Sequence, residues 1–219
     1  MKGAGTLNRE STKGRDRLLE AAREVFYEDG YQKASMREVA RRIGMSQAAI
    51  YYHFADKEDL LFTLIDDFTE RFSETLMSAV ASGVSPQEKL SNLIAAQLDM
   101  LVENQRDLKI LSQDKGHLSK MRRRLIRSKE RTVLEIYRAC LGEVRKGGGL
   151  TGVDSTVAAF TIIGAINWLY QWYRPDEGLP WTTVKESILK MVLQGVGMPG
   201  VPAEPAGPAR TKQRKERIA

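Results

Sequence analysis

The stretch ASMREVARRIGMSQAAIYYHF, residues 34–54, decides how the rest of the chain is read. Ser35 followed by Glu38 is a capping-box pair, the hydroxyl serving an amide three residues on and the carboxylate reaching back. Met36, Val39, Ala40 and Ile43 recur at helical spacing, and Gly44 supplies a stop. After one more residue Ser46 caps a third, short helix. Two short helices joined by a tight glycine turn form a helix-turn-helix. Ile50 and Phe54 belong to its inner face. Tyr51, Tyr52 and His53 stand side by side, too many rings for one short helix to bury.

Working outward, the chain reads as a string of helices. Upstream, a helix over 15–29 carries the stripe Leu18, Leu19, Ala22, Val25 and Phe26 and stops at Gly30. Downstream, Asp56 caps a long helix whose Leu60, Leu61, Leu64, Ile65, Phe68, Phe72 and Leu76 recur at threes and fours. Ser85-Pro86-Gln87-Glu88 starts the next, with proline at the first helical position. A short helix over 107–113 and a long one over 118–146 follow, the latter stopped at Gly147-Gly148-Gly149. Asp154 opens a helix that runs to Tyr173 and is apolar nearly all round, closed by Arg174-Pro175. Thr183 and Glu186 make a capping box for a last helix ending at Gly195. No alternating strand pattern competes, so the expectation is an all-α protein of about nine helices. Residues 1–14 are expected to form a flexible basic arm and 198–219, proline-rich and basic, a disordered tail.

Composition narrows the function class. The 219 residues are 42% hydrophobic and 28% charged, the profile of an ordinary globular chain. No apolar run approaches the roughly 18 residues of a membrane span, and the N-terminus lacks a secretory h-region. A single cysteine, Cys140, fits a reducing, cytoplasmic setting. The net charge of +6 is concentrated at both ends, which suits a polyanion but equally a solvated tail. Two histidines, His53 and His117, and one cysteine are too few for a common zinc site. The triple glycine lacks the Gly-Lys-Ser/Thr of a phosphate-binding loop. No enzyme is expected, and no cofactor or metal.

Residues 15–64, with LLEAAREVFYEDGYQKASMREVARRIGMSQAAIYYHFADKEDLL at their centre, resemble the DNA-binding domain of the tetracycline-repressor (TetR) family of bacterial transcriptional regulators. The resemblance rests on Phe-x-x-x-Gly-Tyr, the Ala-x-x-x-Gly-Met-Ser turn, Ile-Tyr-Tyr-His-Phe, and Lys57 with Leu60 behind it. It implies a three-helix DNA-binding domain over 15–58 joined to a larger effector-binding and dimerisation domain over 59–197. A homodimer would present two recognition helices to a palindromic operator on double-stranded DNA. On the recognition helix, Gln47 follows the cap Ser46 and can bond adenine through two edge atoms, while Ala48 and Ala49 permit close approach. By similarity, Tyr51, Tyr52 and His53 meet phosphate or neighbouring bases, and Ser35 and Arg37 lie near phosphate or a base edge. Lys57 sits in the first turn of a helix, where the dipole disfavours a cation, and a nearby phosphate would reverse that penalty. Lys13 and Arg15 stand as a possible minor-groove arm or a solvated end.

The stretch GAINWLYQWYRP, residues 164–175, resembles the branch of TetR regulators that responds to acyl-CoA thioesters and controls fatty-acid or related catabolism. An acyl chain needs an apolar tunnel with few polar anchors. Met100, Leu101, Leu108, Leu111, Tyr137, Cys140, Leu141, Ile163, Asn167, Trp168 and Tyr170 are the candidate lining, with Arg174 and the basic run Lys120 to Arg131 as partners for CoA phosphates. The doubly apolar helix over 154–173 needs a second covering surface, which a partner copy would supply. The expected function is a ligand-released repressor. The alternative is an acyl-CoA- or lipid-binding helical protein, or an enzyme, whose N-terminal domain contacts protein.

Overall fold

A computed structural model of the chain describes residues 4–176 and 178–197, with side chains from residue 14 onward. Ten α-helices follow one another among these residues: α1 (Ala4–Lys33), α2 (Met36–Ile43), α3 (Gln47–His53), α4 (Lys57–Ala81), α5 (Pro86–Glu103), α6 (Gln105–Asp114), α7 (Lys120–Lys146), α8 (Ser155–Asn167), the single turn α9 (Leu169–Trp172) and α10 (Trp181–Gly197). A 3₁₀ turn, Lys115–His117, joins α6 to α7. The all-α architecture is as expected. No helix among the described residues is long and apolar enough to cross a membrane.

Most helix starts are where side-chain oxygens can take orphan amides. Ser46 accepts from Ala49 N at 3.2 Å, Asp56 from Asp59 N at 2.7 Å, and Asp154 from Thr156 N at 2.8 Å. Ser85 and Glu88 form the full reciprocal capping box, with Pro86 at the first position. The Ser35 box is only half made. Ser35 Oγ accepts from Glu38 N at 3.2 Å, but the Glu38 carboxylate is turned onto Arg41 and Arg42. A guanidinium pair offers a carboxylate stronger, charge-assisted bonds than one backbone amide does.

Four expected boundaries move. Helix α1 starts at Ala4 rather than at residue 15, so the expected arm over 1–14 is helical from Ala4 on. Once a helix is nucleated by a packed segment, each added residue gains a hydrogen bond at little further cost. The expected helix over 154–173 breaks at Trp168, where Gln171 N closes back on Trp168 O at 3.0 Å and redirects the chain into α9. Helix α10 begins at Trp181, the Pro180 carbonyl accepting from Val184 N at 3.2 Å, so Thr183 lies inside the helix and caps nothing. The expected domain boundary at residue 58 does not divide the packing, as the two cores show. The proline-rich tail over 198–219 lies outside the described residues.

Two buried clusters organise the helices. The first gathers Leu18, Ala22, Val25 and Phe26 of α1, Met36 and Val39 of α2, Ile50 and Phe54 around α3, and Leu60, Leu61, Leu64 and Ile65 of α4. Ile110 of α6, Leu118 after the 3₁₀ turn and Ile126 of α7 complete it. The second is built from the rest of α4, from Phe68 on, with α5, α7, α8 and α10. Helix α4 therefore runs through both cores, and α6 and α7 also reach into the first.

Tight turns hold the first unit in register. Gly44 has φ 65°, a left-handed conformation that lets Met45 N return to Ala40 O at 3.0 Å and turn the chain into α3. No neighbouring atom would meet a Cβ there, so the requirement is one of backbone conformation alone. Gly44→Ala is expected to destabilise the protein by about 1 kcal/mol, read as a fall in Tm of about 2–4 °C.

Candidate nucleic-acid interface and effector cavity

Helix α3 divides its side chains as its sequence demands. Ile50 is 0% and Phe54 2% exposed, and both sit in the first core. Gln47 and Ala48 are exposed, Ala49 and His53 half-buried, and Tyr51 and Tyr52 are 47% and 83% exposed. Neither tyrosine is buried on α1; the Tyr52 ring instead meets His53 edge-on at 5.2 Å. Ser35 and Arg37, exposed at the start of α2, belong to the same unit. The Ser35 and Ser46 hydroxyls are engaged as helix caps. Arg15 and Arg17 approach from α1, Arg15 lying 5.6 Å over the Phe54 ring and Arg17 reaching Ile43 O at 3.5 Å. Lys13 has no described side chain.

Lys57 does not join this surface. Its ammonium donates to Tyr31 O at 2.7 Å, Ala34 O at 3.0 Å and Gln32 O at 3.4 Å, and stands 4.3 Å over the Tyr31 ring. The cation that the α4 dipole disfavours is compensated by carbonyls at the end of α1 and the turn after it. The expected phosphate contact of Lys57 is thereby corrected to a structural clamp.

A cavity of about 510 Å³ opens in the second core, between α4, α5, α6, α7 and α8. Of the expected lining, Leu101, Leu108, Leu111, Ile163 and Asn167 are there. They are joined by Phe68, Thr69 and Phe72 of α4, Gln97 of α5, Val133 and Leu134 of α7, and Phe160 of α8. Tyr137 is fully buried behind the wall, donating to Gln97 Oε1 at 2.5 Å, and Gln97 Nε2 donates to Asn167 Oδ1 at 3.0 Å. Burial pushes the Tyr137 hydroxyl well above its ordinary range, so it stays a protonated donor. Cys140 and Leu141 are packed in the core and Met100 lies at its edge, so these three do not line the space. Trp168 is 61% exposed beyond the helix break, and Tyr170 and Arg174 face a different pocket. The missed residues share a cause. Phe68 and Phe72 were legible as the apolar stripe of α4, but a stripe does not tell which neighbour it faces.

Arg127, Lys129, Glu130 and Arg131 of α7 also line the cavity. Lys129 is paired with Asp66 at 2.6 Å and Glu70 at 3.2 Å, and Glu130 with Lys115 at 2.5 Å. Arg127 and Arg131 are exposed, and among the described residues no carboxylate pairs with either. The space is thus apolar within and cationic at its edge.

Between the two regions lies α6. Leu108 and Leu111 face the cavity, while neighbouring positions hold α1. Asp107 accepts from Arg23 Nε at 2.8 Å, Asp114 from Tyr31 N at 3.2 Å, and Lys109 donates to Tyr27 O at 2.9 Å. His117 stacks on Tyr31 at 4.9 Å. Burial pushes the Asp107 and Asp114 carboxyls above their ordinary values, opposed by the Arg23 guanidinium and the Tyr31 amide respectively.

Residues 18–64 match the family described as bacterial regulatory proteins, tetR family, and residues 83–196 match the tetracyclin repressor-like C-terminal domain. The chain belongs to the TetR family. Like the family, it is a transcriptional regulator and not an enzyme, which sets aside the lipid-binding or enzymatic alternative. A fatty acid metabolism regulator protein of Bacillus subtilis is 25% identical over 182 residues, 82% of this chain and 93% of that one. A TetR/AcrR-family regulator of Thermobifida fusca has a crystal structure similar at a TM-score of 0.69, with 33% identity over 84% of this chain and 98% of its own. The TetR-like AibR, solved with isovaleryl coenzyme A and operator DNA, is similar at a TM-score of 0.74 with 25% identity, over 80% of this chain and 95% of that one.

The clamp makes Lys57 testable as a stabilising residue. Lys57→Met leaves the carbonyls at the end of α1 without their cation and is expected to cost roughly 2 kcal/mol, a fall in Tm of about 4–8 °C by calorimetry. An unchanged Tm would contradict the assignment.

Proposed function

We propose that this TetR-family regulator represses transcription as a homodimer on a palindromic operator and is released by an acyl-CoA, in control of fatty-acid or related catabolism. The observation that carries the effector assignment is the cavity: an apolar chamber of about 510 Å³ with the uncommitted guanidiniums of Arg127 and Arg131 at its edge. An acyl chain suits the Phe68, Phe72 and Leu108 walls, and the Asn167 amide nitrogen would supply a donor for a thioester carbonyl. The CoA phosphates suit the two arginines, whose planar forks match phosphate oxygens. The isovaleryl-CoA ligand of AibR supports the same class.

Dimerisation is supported by an apolar face the monomer leaves open. Val157, Phe160 and Trp168 are 59%, 61% and 61% exposed along α8 and its end, and Met191 on α10 is 74% exposed. The opposite face of α8 is buried through Ala158, Ala159, Ile162 and Ile166. An exposed apolar surface of this kind marks an interface, and a second copy covers it by two-fold symmetry. Pairing there would set two α3 helices on successive major grooves, with Gln47, Ala48 and Ala49 at base edges and Tyr51, Tyr52 and His53 near the backbone.

Helix α6 offers a route for release, since an effector that bears on Leu108 and Leu111 acts on the same helix that holds Arg23, Tyr27 and Tyr31 of α1. A mobility-shift assay with the native upstream region tests both halves. Tyr52→Ala, at an exposed position, is expected to weaken the specific complex about tenfold with unchanged circular dichroism. Acyl-CoA is expected to dissociate the complex, and the double variant Arg127→Glu/Arg131→Glu to raise the concentration needed about tenfold or more, with acyl-pantetheine unaffected. Absence of any specific complex at moderate salt overturns the operator assignment. A complex that no acyl-CoA chain length releases overturns the effector assignment alone.

A further inference from the structure

A second, smaller pocket, of about 170 Å³, lies on another side of α6 from the acyl cavity and shares no residue with it. Gln105, Lys109 and Gln113, four residues apart, present one face of α6 to it. Tyr27 of α1 closes one wall; Tyr170 and Gln171 of α9, with Arg174 just beyond, close the other. Among the described residues no carboxylate lines it. Elsewhere along this seam cations are matched to anions, as in Arg23 with Asp107, Arg71 with Asp67 and Arg106 beside Glu20.

Among the described residues neither cation here pairs with a carboxylate, and Lys109 stands 4.3 Å over the Tyr27 ring. Lys109 spends one of its three donors on Tyr27 O at 2.9 Å, and Arg174 spends one terminal nitrogen on Tyr173 O at 3.1 Å and Tyr170 O at 3.4 Å. The Asp114 carboxylate is near enough for its charge to interact with Lys109, but it is bonded to Tyr31 N. Among the described residues the side chains of Tyr27, Gln105, Gln113, Tyr170 and Gln171 make no hydrogen bond within the chain, although all carry donors. The pocket therefore brings together two positive charges and several unspent N–H and O–H groups around a space of about 170 Å³.

We propose that this pocket binds a small oxyanion of the phosphate class. Its oxygens would bridge Lys109 and Arg174 and collect the amide and hydroxyl donors around them, bonds that are stronger for being charge-assisted. The bound anion would tie α1, α6 and α9 together, stabilising the contact between the DNA-binding unit and the effector unit. This site is independent of the acyl-CoA assignment. Its anion comes either as free phosphate or as the phosphate of a larger ligand, and the two sources separate in the test below.

Calorimetric titration of the full-length protein with inorganic phosphate, at ionic strength held constant with chloride, is expected to give saturable binding with a Kd on the order of 1 mM or tighter. Arg174→Gln is expected to weaken it about tenfold, Gln113→Ala about threefold, and Arg145→Gln, an exposed cation elsewhere, not at all. Gln113→Ala keeps the test open if Arg174→Gln fails to fold. Competition by free CoA identifies a phosphate carried by the larger ligand, and its absence identifies the free anion; either result upholds the site. No saturable binding by the wild type, or equal affinity in the Arg174, Gln113 and Arg145 variants, overturns it as a solvent-filled pocket.

Discussion

Helix α6 is only ten residues long, yet it is held from two sides by interactions of different kinds. Toward the apolar cavity it presents Leu108 and Leu111, whose contacts there are non-directional. Toward α1 it presents Asp107, Lys109 and Asp114, whose contacts are directional and charged. A buried carboxylate such as Asp107 cannot drift from Arg23 without stranding a charge, a cost of about 3–5 kcal/mol. Helix α6 and the body of α1 are thus constrained to move together. A ligand shifts such an arrangement only to the extent that it binds one position of α6 better than another.

The second constraint is the continuity of α4. Its first turns, from Leu60 to Ile65, fill the core under α3, and Phe68, Thr69 and Phe72 further on line the apolar cavity. Lys57 anchors its start to the last carbonyls of α1 and the turn beyond. Close-packed interiors transmit small shifts rather than absorbing them. The DNA-binding unit is therefore tied to the cavity by α4 and α7, which contribute to both cores, and by α6, which is bonded to α1.

Local chemistry was legible in the sequence at most helix starts, where the partner lay within one turn. Ser46, Asp56 and Ser85 cap their helices as read, because a cap needs only its own next three residues. Ile50 and Phe54 turned inward and Tyr52 outward for the same reason. Partners brought together only by folding were not legible. Lys57 looked like a cation awaiting phosphate because the carbonyls of Tyr31 and Ala34, more than twenty residues earlier, meet it only in the folded chain. The cavity was half-legible. Leu101, Leu108, Leu111, Ile163 and Asn167 line it, whereas Tyr137 and Cys140, equally apolar in their surroundings, pack behind it. Helical periodicity marks which face of a helix is buried but not which neighbour covers it. Thr183 misled because Pro180 had already begun the helix.

The coupling proposed between the cavity and the DNA-binding unit runs through α6. The amide of Tyr31, bonded to Asp114 Oδ1 at 3.2 Å, reports directly on that contact. Its hydrogen exchange, measured site by site with and without saturating effector, tests the claim without reference to the operator. Effector binding is predicted to change the protection of the Tyr31 amide while amides near the end of α7, around Val144 and away from the cavity, stay unchanged. Identical Tyr31 exchange in the two states, under conditions where the operator complex is released, would contradict the coupling through α6.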